Sequence, residues 1–192
     1  MNTSSDLHNE ALRKIGRNVV FVQKLEGALK TLIVASNMSG DPSEFAKIYR
    51  RRVKEVGRRP MGWLVDDFIS AIYSDADPAP READDPSKVW VSFSFNLEAD
   101  EETIRARKTA LSRIVAERNT LIHKMLWKFD ASSTESCKDL ILLLDEQHER
   151  LKPYCAWVMQ TVDRLGAAQR EIAAALESGL LWSEEEGGDA TW

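Results

Sequence analysis

Along the first part of the chain, apolar residues recur at alternating steps of three and four: Leu12, Ile15, Val19, Val22, Leu29 and Ile33. That is the period of one helix face, and it predicts a first helix over 7–35. Asn37–Gly40 ends it. Asp41 as N-cap, Pro42 at the first helical position and Glu44 then open a second helix, which reaches about Val56 and stops at Gly57. Pro60 begins a third, shorter one through Trp63, Leu64, Phe68, Ile69 and Ile72.

The pattern changes over 75–88, where Pro78, Pro80 and Pro86 fall among acids and alanines and predict a loop. Val89, Val91, Phe93, Phe95 and Leu97 then alternate with Trp90, Ser92, Ser94 and Asn96, the period of one strand. A single strand needs a partner for its ladder groups. It should pair with an unrecognised segment or with a second copy, or lie as an arm on the helices, its Val, Phe and Leu face inward.

Asp100 caps a long fourth helix, with Glu101 and Glu102 in the first turn, where the dipole favours acids. Its apolar line is Ile104, Leu111, Val115, Ile122, Met125 and Phe129. Ser132 with Glu135 reads as a capping box opening the last helical region. That region carries Leu140, Leu144, Leu151, Trp157, Val158, Val162 and Leu165, with a kink or break at Pro153. Four to five helices with short connections imply an all-α antiparallel bundle, with a short strand or extended insertion near 88–97. One domain is expected over 1–182, interrupted by an insertion at 74–98 and followed by a flexible acidic tail at 183–192.

Composition adds the cellular setting. The 192 residues suit one domain, and 43% hydrophobic with 30% charged residues is ordinary for a chain with a packed core. No apolar stretch approaches the ~20 residues that span a bilayer. The first residues lack the basic and apolar regions of a secretory signal. Cys137 and Cys155 are the only cysteines, as in a reduced, cytoplasmic protein. A net charge of −5 argues against a polyanionic partner, but its distribution does not. Lys47, Arg50, Arg51, Arg52, Lys54, Arg58 and Arg59 stand in one short run against a single acid, Glu55. Arg51, Arg52 and Arg58 are its candidates for contacts to RNA phosphates, the plainer alternative being a solvated helix face.

Phosphate loops, zinc-protease motifs and nucleophile elbows are all missing, and three histidines, His8, His123 and His148, make a multi-histidine metal site hard to build. No metal or cofactor is expected. Two charges interrupt apolar lines: Glu26 on the first helix and Arg118 on the fourth. Buried charges are costly unless paired, so an internal Arg118–Glu26 ion pair is one reading. His123 supplies another. Asn119 and His123 lie one helical turn apart, with Arg118 beside them. An imidazole can exchange a proton near neutral pH, and a guanidinium matches a phosphate gaining charge. Acid–base cleavage of a phosphodiester works better with two proton carriers, and a two-fold dimer would supply the second.

The run Ala116-Glu117-Arg118-Asn119-Thr120-Leu121-Ile122-His123 resembles the Arg-Asn-x-x-x-His signature of HEPN domains, and Leu25-Glu26-Gly27-Ala28-Leu29-Lys30 is similar to the opening helix of such bundles. The resemblance implies a dimeric helical bundle and a metal-independent endoribonuclease of toxin–antitoxin or phage-defence type. It also implies that Arg118, Asn119 and His123 line the site, with Glu26 supporting, that RNA is the substrate, and that a cognate antitoxin is a partner. A non-catalytic HEPN-like dimer that binds a nucleotide, RNA or protein is the alternative.

Overall fold

A computed structural model describes residues 3–73 and 90–178. The loop predicted at 75–88, Val89 of the strand and the acidic tail lie outside them.

The molecule is an all-α bundle with one short two-stranded sheet. Helix α1 (Thr3–Ala35) is followed by strand β1 (Asn37–Gly40), α2 (Phe45–Gly57) and α3 (Met61–Ile72). Strand β2 (Val91–Ser94) leads to α4 (Glu101–Thr120), a π-helical turn (Leu121–Met125), the single turn α5 (Leu126–Lys128) and the long α6 (Thr134–Glu177). Helices α1 and α6 form the main packed pair, and α3 lies between α1 and α4. The central core is built from Leu25, Leu29 and Leu32 of α1, Leu64, Phe68 and Ile72 of α3, Leu111 of α4, and Leu151, Val158 and Leu165 of α6. A second, smaller core lies toward the end of the bundle that holds the π turn. Leu121, Leu140 and Leu144 are buried there, with Ile15, Val19, Met125, Leu126 and Phe129 packed around them.

Start signals in the sequence work as local chemistry. Asp41 Oδ1 accepts from the amide of Ser43 at 2.9 Å and opens a 3₁₀ turn, Pro42–Glu44, that runs into α2. Asp100 Oδ1 accepts from the amide of Thr103 at 2.7 Å, and that bond holds its carboxyl below the usual carboxylate range. At α6 the cap is Ser133 rather than Ser132: its Oγ accepts from the amide of Ser136 at 3.2 Å. Asp130 holds Ser132 in the preceding turn instead.

Three expectations need correcting. Asn37–Gly40 does more than end α1; it is the missing strand, pairing antiparallel with β2 from Asn37↔Ser94 to Gly40↔Val91. With Met38 its one large apolar residue among Asn37, Ser39 and Gly40, the segment carries no alternating pattern, so the partner was invisible. Gly40 takes a φ of 149°, and a Cβ there would sit 2.9 Å from Ile48 Cδ1. Next, α6 runs unbroken through Pro153. Pro153 faces solvent while Leu151, Cys155 and Val158 are buried on either side of it, so packing along α1 outweighs one lost backbone bond. Finally, the apolar line of α1 holds at Val22, Leu29 and Ile33, which are buried, and at Ile15 and Val19, which pack on the second core, but fails at its start. Leu12 is 49% exposed, whereas Lys14 and Asn18 are buried against α6.

The inward-facing half of the strand is as expected. Phe93, Phe95 and Leu97 pack on the core, and Trp90 and Ser92 are exposed. Beyond β2 the chain stays pinned: Phe95 donates to the carbonyl of Ser36 at 2.7 Å and Leu97 to that of Ile72 at 2.8 Å. These bonds fix the approach to Asp100, and so the place where α4 begins.

Candidate functional site

Helix α4 is clamped before it reaches the site. Arg107 stacks over the rings of Trp157, at 4.7 Å, and Tyr73, at 5.7 Å, tying α4 to α6 and α3. Ten residues on, Glu117 Oε1 accepts from Arg150 Nε of α6 and from Arg113 Nε of its own helix, both at 3.0 Å. Glu117 Oε2 is buried without a partner. The charged pair at this seam is therefore Glu117–Arg150. Among the described residues no ion pair within 4.0 Å joins Arg118 to Glu26, which bonds Lys30 Nζ at 2.7 Å instead. Arg118 and Glu26 do line one small crevice between α1 and α4, with Asn18, Val22, Leu121 and Ile122. Arg118 is half-buried at its rim, not enclosed as the apolar line suggested.

The next turn changes the helical geometry. Over Leu121–Met125 the backbone closes i→i+5 bonds, the amide of Leu126 donating to the carbonyl of Leu121. Such a turn holds one residue more than an α-turn, and π turns recur at functional sites. Leu121 is fully buried here, while Ile122, named in the apolar line, is only partly covered. His123 lies within the π turn and is exposed, as is Asn119.

Arg118 Nη1 donates to Asn119 Oδ1 at 3.0 Å. That bond uses one lone pair of the amide oxygen. Arg118 keeps its remaining N–H donors, and Asn119 keeps its NH₂. The pair offers several donors to an oxyanion. Among the described residues no hydrogen bond joins His123 to either residue. A larger groove of about 510 Å³ lies on the other side of the turn, lined by Lys124, Met125, Lys128, Phe129, Leu140 and Leu143. Trp127 stands beside it, 88% exposed.

The basic run divides in two. Arg51 and Arg58 are exposed on α2, with Lys47, Arg50 and Lys54. Arg52 turns inward: it donates to the carbonyl of Ile33 at 2.9 Å and to that of Asn37, satisfying the end of α1 and the start of β1. Burial pushes its pKa down. Its role is to staple α2 to α1, so its guanidinium is not open to a phosphate.

Sequence reasoning missed the polar seam between α1 and α6. Asn18, fully buried, donates from Nδ2 to the carbonyl of Leu144 at 2.8 Å and to Gln147 Oε1 at 2.9 Å. Arg17 bonds Asp145 Oδ1 at 3.1 Å, and Lys14 bonds the same carboxylate. His148 packs edge-on to Phe21 with ring centroids 4.6 Å apart, and its Nδ1 is buried without a partner. Burial, then the charge of Arg17, push its pKa below the ordinary value. Spacing Lys14–Asn18 at i, i+4 was the available signal, but both residues also fit a solvated face. Cys137 and Cys155 are buried and unpaired. Among the described residues no group of three metal-ligating side chains gathers, and no helix is long and apolar enough to cross a membrane.

Comparison with known proteins gives no family model, no curated protein and no solved structure that matches the chain.

Proposed function

We propose that the chain is a metal-independent endoribonuclease of the HEPN type, acting as a cytoplasmic homodimer in growth arrest or phage defence, with an antitoxin as its cognate partner. The observation that carries this reading is that Arg118, Asn119 and His123 are not consumed by the fold. Among the described residues Arg118 bonds only its neighbour Asn119, and His123 faces solvent from a π turn.

In the proposed reaction His123 takes the proton of a ribose 2′-hydroxyl, and the resulting alkoxide attacks the adjacent phosphorus. The P–O5′ bond breaks, and the leaving oxygen is protonated by an imidazolium, His123 of the second copy in a shared cleft. Arg118 and the NH₂ of Asn119 stabilise the charge on the phosphorane oxygens. The products are a 2′,3′-cyclic phosphate and a 5′-hydroxyl. A dimer is supported by large apolar side chains left exposed, Leu12, Trp127 and Leu142 at 49%, 88% and 64%. An interface of more than ~1,200 Å² is expected.

The openness of His123 also suits the rival reading, a non-catalytic helical dimer that binds RNA, a nucleotide or a protein. Incubating the purified chain with total RNA in EDTA and mapping the ends separates the two. Cyclic phosphates and 5′-hydroxyls support the nuclease; intact RNA supports the binding module.

A further inference from the structure

The outer face of α2 is a surface the catalytic reading does not use. Lys47, Arg50, Arg51, Lys54 and Arg58 are all exposed and share one shallow groove along the helix with Glu55. Their spacing of three, four and seven residues puts them on one side. Two are partly neutralised, Lys47 by Glu44 at 3.3 Å and Arg51 by Glu55 at 4.0 Å, both in exposed pairs that salt and competing anions displace readily. Among the described residues no carboxylate lies within 4.0 Å of Arg50, Lys54 or Arg58. The inward anchors, Arg52 on Ile33 and Asn37 and Lys30 Nζ on the carbonyl of Gly57 at 3.1 Å, hold the helix so that these cations stay outward.

We infer that this face of α2 is a binding surface for the phosphate backbone of single-stranded RNA. Eleven residues separate Lys47 from Arg58, or ~16 Å of helix at ~1.5 Å per residue. A positively charged groove of that length can track the backbone of one unpaired strand. A protein of net charge −5 that keeps such a ridge concentrates its positive field here. Near the N-terminal end, Trp90, 42% exposed, lines a groove with Arg51, Ser39, Ser43 and Ile48, and with the acids Asp41 and Glu44. An exposed indole beside a cationic ridge offers a stacking platform for an unpaired base, which a duplex does not supply. At the other end, the bonds from Gly57 through Lys30 to Glu26 lead to the crevice that Arg118 lines.

The surface stands or falls separately from cleavage. The test uses the full chain carrying His123→Ala, so that RNA stays intact, and follows fluorescence anisotropy of a labelled oligouridylate across a salt series. Five contacts predict a slope of log K against log salt near −3.5, at about −0.7 per phosphate on a single strand. Arg51→Gln, Lys54→Gln and Arg58→Gln together should reduce its magnitude by about 2 and weaken binding about a hundredfold near 0.1 M salt. Trp90→Ala should weaken oligouridylate binding roughly five- to hundredfold and leave duplex binding unchanged. Circular dichroism checks that each variant is folded. An unchanged slope in the folded triple variant, or competition by polyglutamate as strong as by oligouridylate, would overturn the inference. Tight oligouridylate binding by a chain that cleaves nothing would support this surface and count against the nuclease.

Discussion

Arg118 Nη1 and Asn119 Oδ1 lie 3.0 Å apart, an arginine fixing the orientation of its neighbour's amide rather than reaching across the bundle to a carboxylate. Substitution at this position therefore has a specific signature. A buried Arg118–Glu26 pair would make Arg118→Ala cost ~3–5 kcal/mol. With Arg118 half-buried and Glu26 bonded to Lys30, the cost should stay below ~1 kcal/mol in urea denaturation, while RNA cleavage falls.

The seam charge that does matter to stability is one residue earlier. Arg150→Ala leaves Glu117 Oε1 with Arg113 alone, beside an Oε2 already buried and unpartnered. A loss of about 1–3 kcal/mol is expected. Arg113→Ala, on the exposed side, should cost under ~1 kcal/mol. Equal effects from the two would show that the α4–α6 pair carries no special weight.

Asn18 offers a sharper case. Asn18→Leu removes two donated bonds; the carbonyl of Leu144 keeps Arg17 Nη2 at 3.0 Å, but Gln147 Oε1 is stranded in the α1–α6 seam. Thermal and urea unfolding should both register a loss of ~1–3 kcal/mol. A stabilised Asn18→Leu protein would mean that an apolar seam packs better and that the polar network serves some other purpose.

Stability should also depend on pH through His148. Burial holds its folded pKa below the ordinary 6.5, so folding favours the neutral ring. That contribution is whole above about pH 6.5 and is lost as pH falls from there through the folded pKa. The urea midpoint should drop on going from pH 7.5 to 5.5, and His148→Gln should flatten that segment of the curve. Carboxylates such as Asp145, held low first by Lys14, lose their contribution only further into acid.

What the sequence revealed and what it hid follow one physical divide. Helix starts were legible because Asp41 and Asp100 act on amides two and three residues away. The all-α class was legible because long apolar periods have one common solution. Strand β1 was hidden because Asn37, Met38, Ser39 and Gly40 pair through backbone groups, which leave no trace in side-chain pattern. The apolar part of the buried face of α1 was legible, but its polar members Lys14 and Asn18 were hidden because partners that offset their burial come from α6, more than a hundred residues away. At the site, Arg118, Asn119 and His123 stood out by residue type, but the π turn that carries His123 did not, since no residue of Leu121–Met125 breaks a helix. Arg51, Arg52 and Arg58 looked alike in the run; only the fold separates the stapling Arg52 from the exposed pair.

The most direct measurement compares wild type with His123→Ala on RNA in EDTA, under conditions where light scattering reports the dimer, about 43 kDa or twice the 21.7 kDa chain. His123 is exposed and makes no hydrogen bond among the described residues, so the variant should fold and dimerise as wild type does. Its cleavage rate should fall at least ~10²-fold, the scale of general acid–base catalysis. Wild-type fragments should end in 2′,3′-cyclic phosphates and 5′-hydroxyls. Equal cleavage by both proteins, or wild-type cleavage that disappears in EDTA, would contradict the assignment of a metal-independent ribonuclease to Arg118, Asn119 and His123.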